Sequence, residues 1–132
     1  MSYSLGPRET DSVSGLPAKE RLEHFIKRVA DWEEVWSLRN QDGWVLSSTN
    51  GADEIAPFWP HPDYARACAT GPWIDCEPAP IALEAFQQRW LPGMSKDHRS
   101  VAVFSTPHSA GVVLSAENLS QAIQSELDEN YS

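Results

Sequence analysis

The residues of this chain that could do chemistry are two cysteines, four histidines and several adjacent carboxylates. Nucleophilic catalysis needs a Ser or Cys within reach of a His that an acid orients. Cys68 is the first candidate nucleophile, because His61 and Asp63 lie close to it in the chain. His61, however, precedes a predicted helix and Cys68 lies about two turns inside it, so local structure does not bring them together. We therefore expect Cys68 to pack as a small hydrophobic residue beside Tyr64.

A metal or cofactor site is not indicated by the spacing of the other polar residues. Zinc sites usually contain close ligand pairs such as C-x-x-C or H-x-x-x-H, and the chain has neither. Adjacent carboxylates such as Glu33 and Glu34 point in different directions on a helix or strand, so they make poor acid–base pairs. There is no glycine-rich phosphate loop. The sequence therefore identifies no catalytic residue, no metal ligand set and no cofactor.

Tryptophan is the residue type that stands out, with six copies. Trp59 lies between Pro57 and Pro60, each of which fixes its own φ and lacks a backbone donor. This pattern predicts a stiff backbone that presents Phe58 and Trp59 outside any central strand or helix interior. Two interpretations stay open. Either the tryptophans close the core, where truncating one costs about 3–5 kcal/mol, or two or three of them line a groove. The candidate binding residues of such a groove are Trp44, Trp59, His61, Arg89 and Trp90.

Length and charge narrow the class of protein. A chain of 132 residues suits a single domain. Ten basic and 19 acidic residues give a net charge of −9, and the aromatics are not interleaved with basic residues, so nucleic-acid binding is not expected. Without a secretory signal or a long apolar run, we expect no membrane association and a cytoplasmic location with reduced thiols. The acidity serves either solubility or recognition of a basic protein partner.

Helices are predicted where apolar residues recur at helical spacing. Residues 1–16 have no such period and are expected to form a disordered arm, with a single domain over 17–132. Pro17 begins a helix whose apolar stripe includes Phe25 and Val29. A short helix is expected after His61, and another from Leu83 that Pro92-Gly93 ends. Ser115 is the predicted cap of a last helix, whose apolar side is formed by Leu119, Ile123 and Leu127.

Strands are predicted around two turn signals and one late hairpin. Residues 34–38 and 44–48 should form a hairpin about the Asn40–Gly43 turn. Asn50-Gly51 should turn the chain into a third strand, 54–56, which Pro57 stops. Residues 73–76 are expected to be extended, 77–80 to be a stiff connector, and 101–104 to pair with 111–114. These elements predict an α+β fold with a mostly antiparallel sheet of about five strands built from hairpins, packed by about four helices.

Several short motifs of the chain, taken together, resemble a small bacterial family catalogued as domain of unknown function 2750. They are Gly43-Trp44, Pro57-Phe58-Trp59-Pro60, Tyr64-Ala65, Glu77-Pro78, Trp90-Leu91-Pro92-Gly93 and the run from Val103 to Pro107. The likeness covers about residues 20–128, in order and without a large gap, and leaves out the N-terminal arm. The Pro-Phe-Trp-Pro element beside Gly-Trp is the most distinctive part. The resemblance implies a compact α+β domain, and no activity, ligand or catalytic residue is carried over from it.

Three hypotheses about function remain. The first is a non-enzymatic protein-binding module, in one form an immunity-type or antitoxin-like protein that neutralises a basic partner. The alternative is an enzyme or small-ligand binder whose pocket lies around Trp59 and His61 and is built from dispersed residues. A third is a domain that acts through oligomerisation, which an exposed apolar patch would indicate; the sequence does not define the oligomeric state. A buried Trp59 without a cleft favours the first hypothesis, and an accessible Trp59 in a concave site favours the second.

Overall fold

A computed structural model describes residues 12–41, 43–49 and 53–130. Besides a short helical turn over residues 12–14, these residues form the helices α1 (Ala18–Trp32), α2 (Pro62–Ala67), α3 (Leu83–Ala85, Phe86–Trp90 and Leu91–Lys96 in succession) and α4 (Ala116–Asn130). The strands are β1 (Glu34–Asn40), β2 (Gly43–Trp44), β3 (Ser47–Thr49), β4 (Asp53–Phe58), β5 (Glu77–Ala82), β6 (Ser100–Val103) and β7 (Val112–Ser115). A single 3₁₀ turn covers Gly71–Trp73. The predicted α+β class is confirmed.

The strands form two sheets rather than the one sheet that was expected. The first has the order β2-β1-β5 and is antiparallel throughout. The second has the order β3-β4-β6-β7, and its central pair, β4 and β6, is parallel. Trp36 and Trp59 join the two sheets, because each backbone N–H donates to the other's carbonyl, at 2.9 and 2.8 Å. A parallel pair needs a long crossover connection, so this one pair is not a hairpin, whereas the other strand pairs are antiparallel, as expected.

Strand β4 runs through Pro57, which was predicted to stop it. Backbone groups two residues apart point to the same side of a strand. On that side Ile55 pairs with β3, and Trp59 is bonded to β1. Pro57 lies between Ile55 and Trp59, at the point where the neighbouring strand changes from β3 to β1. Neither strand pairs with this position, so the missing N–H of Pro57 breaks no ladder. Its carbonyl accepts a hydrogen bond of 2.7 Å from the Ser37 hydroxyl.

Strand β5 occupies the stretch predicted to be a connector. It pairs with the whole of β1, with Trp36 opposite Pro80 and Leu38 opposite Pro78. Because proline cannot donate, the N–H donors to β1 come from the residues that alternate with the prolines, and the nitrogens of Pro78 and Pro80 point to the outer edge of the sheet. The segment before β5 is also different from the expected extended piece, since Gly71–Trp73 forms a 3₁₀ turn.

Helix α3 continues past Pro92-Gly93 to Lys96, so the predicted end of this helix is wrong. In α-helical geometry Pro92 would lose a hydrogen bond and clash with the carbonyl four residues earlier. Here a π-type turn precedes it, in which the Leu91 N–H donates to the Phe86 carbonyl five residues back. The wider turn accommodates the proline within a continuous helix.

The predicted first helix, the late hairpin and the cap of the last helix are confirmed. Helix α1 buries Phe25 and Val29, and β6 pairs with β7 in antiparallel fashion. The Ser115 hydroxyl accepts from the Asn118 N–H at 3.0 Å, which is the predicted cap of α4. Helix α4 packs against α1 and α3. The predicted strand 44–48 is divided instead between β2 and β3, in different sheets.

Some predictions fall on residues outside the described ranges. They include the disordered arm over residues 1–11, Asp42 of the first turn and the Asn50-Gly51 turn. Val13, the first buried residue of the described part, belongs to the hydrophobic core. The division into an arm over 1–16 and a domain over 17–132 stays a prediction. None of the helices among the described residues has the length and apolarity needed to cross a membrane.

Gly111 is the glycine whose replacement should be most costly. A Cβ at this position would overlap the Val103 carbonyl and lie 2.9 Å from the Ser105 nitrogen, both of them backbone atoms that cannot move independently. We expect Gly111→Ala to lower the free energy of unfolding by about 1–3 kcal/mol. Gly93→Ala is the matched control, because a Cβ there meets nothing within 4 Å and alanine favours a helix by about 0.5–1 kcal/mol. Urea unfolding of both variants tests this, and equal stabilities would contradict it.

Candidate functional site

Two of the predicted site residues are buried. Trp59 has no exposed surface, and its indole N–H donates to the Ser105 carbonyl at 2.8 Å. His61 is 5 % exposed and caps α2, where its Nδ1 accepts from the Asp63 N–H at 3.1 Å. Trp59 therefore belongs to the core, and His61 is committed to the start of a helix. Neither lines the two cavities described next.

Two other predicted residues, Trp44 and Trp90, are brought together. Their rings meet edge to face, with centroids 4.9 Å apart and planes at 87°. The Arg39 guanidinium lies 5.2 Å from the centre of the Trp44 ring, a cation–π distance. Arg89, the fifth candidate, is exposed on α3 and lies outside the cavity that the two tryptophans line.

That cavity, here called the aromatic pocket, has a volume of about 230 Å³. Its walls are mostly apolar, and they include Trp44, Leu46, Phe58, Trp90 and Met94. Among the described residues that line it, Arg99 is the one that carries a charge. The pocket lies where β2, the end of β4 and helix α3 meet.

A larger cavity, here called the Trp73 cleft, has a volume of about 550 Å³. One wall is formed by Cys68 and by Pro72 and Trp73 of the 3₁₀ turn. The segment 105–107 also lines it, and its Ser105 carbonyl is in contact with the Cys68 thiol. Leu46 lines both cavities.

The wall formed by residues 105–107 follows a residue with an unfavourable backbone conformation. Phe104 has φ of 60°, in the left-handed region that bulky side chains rarely adopt. The residue is completely buried, and its ring lies 4.6 Å from that of Tyr64. Its N–H donates to the Phe58 carbonyl at 2.9 Å. Strain of this kind persists only where the surroundings fix it, and it is concentrated at functional sites.

Arg21 is the residue that fixes this segment. It is 1 % exposed, and its guanidinium donates to the carbonyls of Phe104 and Ala110, at 2.9 and 3.0 Å. It also donates to the Ser109 hydroxyl at 3.0 Å and to the Leu16 carbonyl. Burial lowers the pKa of Arg21, and the nearby Cys68 acts in the opposite direction. The guanidinium still remains charged at any physiological pH.

Sequence reasoning missed Arg21, although a signal for it exists. Arg21, Phe25 and Val29 are spaced four residues apart, so they share one face of α1. An arginine in line with two core residues must either extend out to solvent or find acceptors inside the protein. The acceptors come from residues more than 80 positions later in the chain, which no local pattern could have indicated.

Ser105 completes the wall. Its carbonyl accepts from both the Trp59 indole and the Cys68 thiol, the latter at 3.3 Å. Its hydroxyl accepts from the Gly111 N–H at 2.9 Å. Arg21 of α1 thus binds the residues on both sides of this segment, and the buried Trp59 binds Ser105 within it. These hydrogen bonds make the segment a rigid side of the cleft.

Cys68 lines the cleft as a half-buried free thiol. Burial raises its pKa, while a hydrogen bond with Trp59 and the charge of Arg21 act more weakly in the opposite direction. A raised pKa keeps the thiol protonated, and the protonated thiol is a poor nucleophile. Among the described residues no group of three His, Cys, Asp or Glu side chains could hold a metal ion.

The fold and its cavities define a small α+β domain in which a rigid, strained segment forms one side of an open cleft. The chain matches the model of the family described as Protein of unknown function (DUF2750) over residues 22–123. The match covers more than half of the chain, so the protein belongs to this family, and the resemblance found from its motifs is confirmed. No curated protein matches the chain.

Removing the Arg21 guanidinium should loosen the cleft wall. We expect Arg21→Met to lower the free energy of unfolding by about 1–3 kcal/mol, because the buried Phe104 carbonyl loses its partner. Hydrogen exchange at the Gly111 amide, which is bonded to Ser105, should become faster. Arg66→Met is the matched control, since the side chain of Arg66 is 66 % exposed. Unchanged stability together with unchanged exchange at Gly111 would contradict the role given to Arg21.

The raised pKa of Cys68 predicts slow alkylation. At each pH a thiol with a raised pKa contains less thiolate than an unperturbed thiol, so its reaction with iodoacetamide should accelerate at a higher pH. The rate should be measured by mass spectrometry in a Cys76→Ala variant, with glutathione as the reference thiol. A midpoint at or below that of glutathione would mean an activated thiol and would revive the enzyme hypothesis.

Proposed function

We propose that this protein is a non-enzymatic protein-binding module and that its Trp73 cleft accepts an apolar segment of a partner protein. The observation that carries this proposal is an exposed apolar rim beside a preformed wall. Ile74, which follows Trp73, is 66 % exposed, and Leu46 is 36 % exposed. Tryptophan is one of the residue types enriched among the energetic hot spots of protein interfaces.

The rigidity of the wall supports the same function. Binding is weakened by the entropy lost when loops and side chains become ordered. The segment 105–107 is already ordered by the hydrogen bonds of Arg21, Trp59 and Gly111 around it. A partner would therefore gain contacts to Thr106 and Pro107 at little entropic cost.

Charge supports a partner with basic residues. The chain has a net charge of −9, and the exposed Asp75 and Glu77 follow Ile74 closely in sequence. Opposite charges on a partner would accelerate association and improve selectivity. The immunity-type or antitoxin-like role is the specific form of this proposal, and it has the support of the charge alone.

A random peptide library displayed on phage provides a direct test with a defined probe. Immobilised wild-type protein should enrich peptides that combine a large apolar residue with Lys or Arg. Synthetic copies of these peptides should bind Trp73→Ala at least about tenfold more weakly. Trp32→Ala is the matched control, because Trp32 is 39 % exposed at the end of α1, and it should bind as the wild type does.

Two results would contradict the proposal. One is a selection that enriches no peptide, and the other is a set of peptides that bind Trp73→Ala as tightly as wild type. The basic character of the partner has its own test, since affinity for the peptides should fall as salt is raised. Affinity independent of salt would remove that part of the proposal.

A further inference from the structure

We propose that the aromatic pocket is a separate site for a small aromatic carboxylate, with the ring inside the pocket and the carboxylate on Arg99. This site does not depend on the binding function proposed for the Trp73 cleft. It also differs from the pocket expected from the sequence, because Trp59 and His61 take no part in it.

The volume of the pocket limits the size of the ligand. An apolar cavity of about 150 Å³ can hold benzene, and pockets for drug-sized ligands begin at about 300 Å³. The aromatic pocket, at about 230 Å³, therefore suits a single ring with a short substituent.

The walls favour an aromatic ring. Trp44 and Trp90 are perpendicular to each other, and Phe58 is tilted by 82° to Trp90 with centroids 6.1 Å apart. Perpendicular rings present both edges and faces, so an inserted ring would find edge-to-face partners. Met94, which is 6 % exposed, adds a polarisable sulfur of the kind that contacts aromatic rings.

The walls are also held in place before a ligand arrives. Trp44 is flanked by the Arg39 guanidinium and pairs with the same residue across the β1–β2 ladder. Phe58 is completely buried and packs edge to face on Phe86, with centroids 4.8 Å apart. Preformed walls of this kind are usual for small-molecule sites.

Arg99 selects for a carboxylate. Its side chain is 36 % exposed and lies 3.4 Å from a Glu54 oxygen and 3.8 Å from an Asp97 oxygen. The first distance is at the limit of a hydrogen bond and the second is beyond it. Both carboxylates are more than half exposed, so these contacts are weak and exchangeable. The planar guanidinium can instead bind a ligand carboxylate through two parallel hydrogen bonds.

The probe for this site is phenylacetate, and the readout is the set of tryptophan indole N–H signals in ¹H–¹⁵N spectra. We expect saturable shifts of the Trp44 and Trp90 signals, with a Kd of about 1 mM or lower, while the Trp32 signal stays in place. Arg99→Met should weaken binding at least about tenfold. Arg89→Met is the matched control, because Arg89 is an exposed arginine of α3 outside the pocket, and it should leave the affinity unchanged.

The neutral isostere phenylacetamide and the cation 2-phenylethylamine test the charge assignment, and both should bind more weakly than phenylacetate. No saturable shift of Trp44 or Trp90 at up to about 10 mM phenylacetate would overturn the proposal. Equal affinity for phenylacetamide, or full affinity in Arg99→Met, would overturn the assignment of a carboxylate to Arg99. Trp73→Ala should bind phenylacetate normally, so failure of this site is distinguishable from failure of the cleft.

Discussion

One buried guanidinium connects most of this fold. Arg21 extends from α1 to the segment that follows β6, and its acceptors are neutral oxygen atoms. A buried charge is costly unless its hydrogen bonds are made, so α1 and this segment must assemble together. The same segment accepts from Trp59, whose backbone joins the two sheets at Trp36. A single side chain thus fixes the relative positions of a helix, the segment after β6 and the point where the sheets meet.

The elements that could be predicted from the sequence are those whose causes are local. The stripe of α1, the His61 cap and the Ser115 cap depend on residues within one or two turns. The predictions that prolines would end β4 and α3 and exclude β5 are wrong, because the effect of a proline depends on the hydrogen bonds around it. Pro57 lies where one neighbouring strand replaces another, Pro80 faces outward, and Pro92 follows a π-type turn. At Pro57 and Pro80 the missing N–H lies outside the strand ladders, whose partners are distant in sequence, and at Pro92 a wider turn accommodates the ring.

The same distinction holds for the candidate sites. Trp44 and Trp90, both expected in a binding surface, do meet although β2 and α3 are far apart in sequence. The sequence left Trp59 open between the core and a groove, and the sheet junction buries it. No local pattern distinguishes Trp73 from the other tryptophans or Arg99 from the other arginines, because their importance comes from cavities that long-range contacts form. Residue type indicated which side chains were capable of recognition, whereas their exposure depended on the packing of the sheets.

The outward-facing prolines of β5 have a further consequence. A sheet edge normally offers a row of free N–H groups, onto which another extended chain can be added. Pro78 and Pro80 remove two N–H groups from that row. The β5 edge of the first sheet is therefore a poor template for strand addition. A protein with an exposed apolar cleft is at risk of aggregation, and these two prolines remove one of the routes by which copies of the chain could assemble into fibrils.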